Sequence, residues 1–262
     1  MNHKPRKRFG QNFLHDQQVI DRIIASIAPQ PTDILLEIGP GQAALTRPLV
    51  ESGAELHVVE IDRDLVETLQ KKFAGISNIT IHPCDALKAD FAEISDNRAF
   101  RLLGNLPYNI STPLIFHLLQ WHHLIIDMHF MLQKEVVDRM AAGPGTKAYG
   151  RLSVMTQFLC KVTPLFDVQA ESFSPAPRVC SSVVRLTPLS EPPFDAGPPG
   201  QLEKVVTAAF SQRRKTLRNS LRNLFDSVQI LAAGIDPGQR AEQLSLSQFA
   251  ALARSLTYDR VS

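Results

Sequence analysis

The chain has 262 residues, room for one large domain or a large one with a small one at roughly 150 residues per domain. Hydrophobic residues make up 44% and charged residues 21%, mean hydropathy is −0.07, and no apolar run approaches the roughly 20 residues needed to cross a bilayer, which excludes a disordered chain and a helical membrane protein. The net charge is only +2, and three scattered cysteines without a C-x-x-C pair support neither a disulfide framework nor a zinc site. With no signal-like apolar stretch after Met1, a cytoplasmic protein with reduced thiols is expected.

From Gln17 to Ala28 the spacing of Val19, Ile20, Ile23, Ile24 and Ile27 predicts a helix, ended by Pro29 and Pro31. Ile34 to Ile38 reads as a strand, Gly39-Pro40-Gly41 as a turn, and Ala43 to Val50 as a helix. The alternation repeats with a strand over 56–62, a helix over 65–73, and strands over 79–81 and 101–104. A helix over 113–121, a strand over 128–132 and a helix over 134–142 capped by Gly143 follow, then strand candidates at 163–168 and 182–186. This pattern indicates an α/β fold with a parallel, doubly wound sheet.

Five prolines between Pro188 and Pro199, beside Gly197 and Gly200, mark a linker over 188–200. Beyond it only helical patterns remain, one from Leu202 to Phe225 and one near Ser247 to Leu256. The expected organisation is a domain over 1–187, opening with a basic arm over 1–16, and a small all-α domain over 201–262. Charge is uneven along it. Lys4, Arg6, Lys7 and Arg8 crowd the start, and Lys204 to Arg222 holds six basic residues (among them Arg213, Arg214, Lys215 and Arg218) and no acid. Two basic patches on a nearly neutral chain point to a polyanion held at two places. In the 202–225 helix, Arg214, Arg218 and Arg222 would form one stripe and Leu217, Leu221 and Phe225 another.

The turn beginning at Gly39 is G-x-G-x-x-A, between a strand and a helix, the context a nucleotide-binding turn requires. Glu60 ends the next strand, where a carboxylate accepts from ribose hydroxyls. Asp85 follows the third strand, where it suits an adenine amine. An adenosine ligand is implied, either NAD or S-adenosylmethionine. The fourth strand decides between them, because it runs into Asn105-Leu106-Pro107-Tyr108. An adenine exocyclic nitrogen is a poor nucleophile, its lone pair being delocalised into the ring. Asn105 Oδ1 and the Leu106 carbonyl could draw its two N–H groups out of plane, while Tyr108 offers a face for a base taken out of its stack. No H-E-x-x-H, G-x-S-x-G or P-loop pattern occurs, so no metal and no hydrolase are expected.

Glu37-Ile38-Gly39-Pro40-Gly41, the stretch Gly104 to Pro113 and Phe173-Ser174-Pro175-Ala176-Pro177-Arg178-Val179 together resemble the ribosomal RNA adenine dimethyltransferases, most of all their bacterial small-subunit (16S) branch. The likeness runs from Arg8 to the basic segment Phe210 to Leu221. It implies a Rossmann-like class I methyltransferase fold with S-adenosylmethionine as donor. Asn12 and Leu14 would form a lid, Gly39 would stand at the methionine end, Glu37 and Gly41 would also bind the cofactor, Glu60 would be the ribose contact and Asp85 the adenine contact, with Asn105 bridging to the target. Phe173 would stack on the base opposite Tyr108. The reaction implied is dimethylation of two adjacent adenines in a hairpin near the 3′ end of small-subunit RNA, on an immature small subunit and by a monomer. An assembly factor with secondary catalysis, a large-subunit RNA methyltransferase and an NAD oxidoreductase are the alternatives.

Overall fold

A computed structural model of the chain describes residues 11–256. In chain order the elements are β1 (Phe13–Leu14), α1 (Gln17–Ile27), β2 (Ile34–Ile38), α2 (Thr46–Glu51), β3 (Glu55–Val59), α3 (Arg63–Lys72), β4 (Ile79–His82), α4 (Phe91–Ile94), β5 (Phe100–Asn105), α5 (Ser111–Leu118), β6 (Ile125–Gln133), α6 (Lys134–Ala141), α7 (Arg151–Leu159), β7 (Cys160–Val168), β8 (Phe173–Ser174), β9 (Ser181–Pro188), α8 (Gln201–Phe210), α9 (Leu217–Ser220), α10 (Ser227–Ala232) and α11 (Leu246–Ser255). They form two compact units, residues 11–137 with 162–188, and residues 138–161 with 189–256.

The first unit is the expected α/β fold around a seven-stranded sheet of order β4-β3-β2-β5-β6-β9-β7. The first five of these strands are parallel, but β9 runs antiparallel to β6, so the sheet is mixed rather than wholly parallel. The chain between β7 and β9 holds no helix long enough for a parallel crossover, whereas an antiparallel neighbour needs none. The central strand β2 is buried at every residue, which is why Ile34 to Ile38 reads as an apolar run without alternation.

Strand order reverses between β2 and β5, and the two lie unusually close. A Cβ on Gly104 would stand 2.4 Å from the Ile38 carbonyl oxygen, so only glycine allows the approach that brings Asn105 beside Gly39. At the other end of the sheet, Arg101 bonds both Asp127 oxygens at 2.9 Å, Asp33 at 2.8 Å and the Ile27 carbonyl at 2.7 Å, tying β5, β6 and the end of α1 together. The N-terminal segment is held by a separate two-stranded ribbon in which Phe13 opposes Ser174 and Leu14 opposes Phe173. Asp16 extends that tie. It caps α1 by accepting from Gln18 N and Val19 N, and its other oxygen accepts from Ser172 Oγ at 2.9 Å.

The second unit is helical, and it takes in 138–161, a segment expected inside the first domain. The reason is packing. α7 lies against α8, Arg151 pairs with Glu203 at 2.8 Å, and the rings of Tyr149, Phe210 and Phe249 make a chain of contacts at 6.2 and 5.6 Å. The proline-rich stretch belongs to this unit as well, with Leu189 N donating to Leu159 O. Gly143, expected to cap α6, is not left-handed; the left-handed residue is Gly145 (φ 81°), four residues past the helix, whose N–H donates to Glu242 O at 2.7 Å.

The single helix expected over 202–225 is also replaced. α8 stops at Phe210, Thr216 is extended, and the first N–H groups of α9 donate outward, Leu217 N to Gln239 O and Arg218 N to Pro237 O. Those long-range bonds substitute for a continuous helical ladder. Leu217, Leu221 and Phe225 are nonetheless buried as their spacing implied, but Arg214, Arg218 and Arg222 fall before, within and after α9 and do not share one helix face.

Candidate active site

The carboxyl ends of β2, β3, β4 and β5 open on a cavity of about 250 Å³ at the point where strand order reverses, the place where open α/β sheets hold ligands. The turn after β2 is built from left-handed residues, Gly39 (φ +67°), Gly41 (φ +55°) and Ala43 (φ 69°). At Gly41 a side chain would also strike β1, since its Cβ would come 3.0 Å from the Phe13 ring. Asn12, Leu14, Glu37, Gly39, Gly41, Glu60, Asp85, Asn105, Leu106 and Tyr108 all line this one cavity.

Three carboxylates at successive strand ends set its electrostatics, and among the described residues no lysine or arginine lines it. Glu37 is 2% exposed and its Oε2 has no hydrogen-bond partner. Burial pushes its carboxyl up to about 7, the charge of Glu60 adds to the shift, and the nearby Thr46 hydroxyl opposes it. Glu60 is raised too, again by burial, although Asp62 N donates to its Oε1 at 2.8 Å. Asp85 accepts from Leu87 N at 3.0 Å through Oδ1, an arrangement that fixes the carboxylate on its turn.

On the opposite wall, Asn105 Nδ2 donates to the Asn12 carbonyl at 3.0 Å. With the donor side of the amide engaged, Oδ1 remains as an acceptor. Leu106 N donates to Met131 O, which fixes the backbone whose carbonyl follows Asn105. Tyr108 is half-buried, its phenol oxygen 2.8 Å from Ser181 Oγ, and burial holds its ionisation above the ordinary tyrosine range.

Phe173 is not part of this assembly. It is not among the residues that line the cavity, and it lies in β8 at 3% exposure in the core cluster with Leu14, Val168 and Val183. Lys4, Arg6, Lys7 and Arg8 lie outside the described residues. Arg214, Lys215, Arg218 and Arg222 are exposed, but Arg213 is engaged, bonded to the Lys147 carbonyl and paired with Glu242 at 3.5 Å. Sequence reasoning missed Gln11, whose Nε2 reaches Asp62 at 3.2 Å, and Ile61, half-exposed on the cavity wall between two acids. An apolar residue flanked by Glu60 and Asp62 was the available signal for the second. Ser181 had none, standing 73 residues from the ring it meets.

The model of the family described as ribosomal RNA adenine dimethylase matches residues 2–258. The chain belongs to that family. It is 56% identical over 256 residues to the ribosomal RNA small subunit methyltransferase A of Methylococcus capsulatus, covering 98% of this chain and 99% of the relative. Among solved structures, a dimethyladenosine transferase from Plasmodium falciparum is similar with a TM-score of 0.78 at 27% identity, covering 92% of this chain and 95% of that one. The 23S rRNA methyltransferase ErmE is similar with a TM-score of 0.71 at 26% identity over 94% and 99%.

This dimethylase is an S-adenosylmethionine-dependent enzyme, and its cavity fits that cofactor. An orphaned buried carboxylate oxygen and two further acidic side chains suit a cationic ligand rich in donors. The family match, not the lining, removes the dinucleotide alternative.

Proposed function

We propose that the enzyme transfers four methyl groups in all, converting two adjacent adenines in a hairpin near the 3′ end of small-subunit ribosomal RNA to dimethyladenosines. The observation that carries this reading is the Asn105–Tyr108 turn opening into the same cavity as the three carboxylates. The 56% identity to a small-subunit methyltransferase supports the choice of RNA. The working substrate is the RNA of an immature small subunit in the cytoplasm, and the enzyme acts as a monomer.

Bound S-adenosylmethionine supplies an electrophilic methyl on a sulfonium. The protein's task is to hold and to orient. Glu60 accepts from the ribose hydroxyls, Asp85 from the adenine amine, and Glu37 faces the methionine end, where Gly39 and Gly41 leave room. Asn12 and Leu14 cover the site. Asn105 Oδ1 and the Leu106 carbonyl accept the two N–H bonds of the target amine, turning its lone pair out of conjugation, and the Tyr108 ring supports the base. No side chain need act as a strong base, because the product ammonium releases its proton readily. The α/β unit does this chemistry, while Arg214, Lys215, Arg218 and Arg222 of the helical unit contact phosphates, with the basic residues 4–8 as a second contact.

The test is to incubate the protein and methyl-labelled cofactor with undermethylated small subunits and with large subunits, then map the label. Label on two neighbouring small-subunit adenines is expected. Label on large-subunit RNA, or none on either, would overturn the reading.

A further inference from the structure

Tyr108 is held from two directions. Its main chain is set by the turn after β5, where Ile110 N donates to Pro107 O and Ser111 Oγ donates to Tyr108 O, both at 3.2 Å. Its far end is set by the sheet. The phenol oxygen lies 2.8 Å from Ser181 Oγ, and Ser181 has no exposed surface. Ser181 opens β9 opposite Gln133 of β6, and Lys134 N donates to Cys180 O at 3.0 Å just beside it. The hydroxyl that meets the ring is therefore mounted on paired strands.

We propose that Ser181 is a positioning residue for methyl transfer, fixing the Tyr108 ring in the orientation that presents its face to the target adenine. The proposal rests on the reading of Tyr108 as the support for that base. A ring free to turn would have to be ordered as the base arrived, and that ordering would be subtracted from binding, whereas a tethered ring is ordered beforehand. The tether also explains a tyrosine where stacking alone would be served by phenylalanine. The bond needs no particular donor, since either hydroxyl can give its proton to the other.

The same bond is removed from opposite ends by Ser181→Ala and by Tyr108→Phe. Each should lower single-turnover methylation of undermethylated small subunits at subsaturating RNA by about 3- to 10-fold, the factor set by one lost buried hydrogen bond. Cofactor affinity by calorimetry should not change, and the double variant should be no slower than the slower single. A hairpin carrying 2-aminopurine at the target position gives a second readout: its quenching on stacking should weaken in both variants. If Ser181→Ala does not fold, Tyr108→Phe carries the test from a half-buried ring. Normal methylation by Tyr108→Ala would remove the base-support reading and this proposal with it. Impairment of Tyr108→Ala alone, with both milder variants at the unaltered rate, would overturn the positioning role while leaving the support role standing. Multiplying effects in the double variant would overturn it as well, by showing that the two hydroxyls act separately.

Discussion

Glu37 is a buried carboxyl with one oxygen that no hydrogen bond serves. A carboxyl raised from 4.5 to about 7 is protonated more tightly in the folded chain than in the unfolded one, so stability falls as pH rises from about 4.5 and the loss is complete above about 7. That loss is on the order of 3 kcal/mol. Glu37→Gln should therefore raise the denaturation midpoint of the ligand-free enzyme at pH 8 and change it little at pH 4.5. Cofactor affinity should move the other way, tightening through pH 7 as the carboxylate forms, and that pH dependence should vanish in the variant. Urea melts and calorimetric titrations across pH check both. Glu60→Ala and Asp85→Ala should each weaken cofactor binding by about 1–3 kcal/mol by leaving a ligand donor without its acceptor. Asn105→Ala should leave that affinity largely intact and slow single-turnover methylation by about 10²-fold, as for loss of one preorganised polar contact. Normal turnover there would remove the acceptor pair from the mechanism.

Elements show where local pattern suffices and where it stops. β2 to β6 and the first three helices were legible because a strand buried on both faces leaves a short apolar run and a helix buried on one leaves a 3.6-residue spacing, and the site followed because three acids and Asn105 fall at strand ends that any doubly wound sheet gathers on one edge. Phe173 and Arg213 were not legible. An aromatic before a proline loop and an arginine in a basic run carry no local mark of what they touch, and what they touch is Leu14 in the core and a carbonyl 66 residues away. The broken helix at 211–216 was hidden for the same reason, since its replacement bonds come from residues 237 and 239. This sorts the basic residues into two kinds. Arg214→Gln with Arg218→Gln should weaken RNA binding and flatten the dependence of log affinity on log salt by roughly one unit of slope per lost phosphate contact. Arg213→Gln should instead lower thermal stability with a smaller change of slope, because it unties the Lys147 loop.

At the scale of the whole molecule, the α/β unit is anchored at the end of the sheet away from the cavity. Arg101 is 13% exposed and satisfies two carboxylates of similar burial, Asp33 at 17% and Asp127 at 15%. Arg101→Leu would leave both part-buried acids without the arginine that balances their charge, at a cost of about 3–5 kcal/mol. Urea denaturation of the variant should reflect that loss, while the distant cavity keeps its cofactor affinity wherever the protein remains folded.

The ribbon of Phe13–Leu14 with Phe173–Ser174 adds a constraint in time. Its outermost bond joins Asp16 to Ser172, 156 residues later. During synthesis, at about 5–20 residues per second, the beginning of the chain waits for that partner to leave the ribosome. Until then the glycine turn and the three carboxylates can assemble, but β1 has nothing to pair with and Leu14 no Phe173 to cover. On the proposed reading of Asn12 and Leu14 as the cover of the site, a chain halted near residue 150 should bind the methyl donor more weakly than the full chain, since β8 is not yet made.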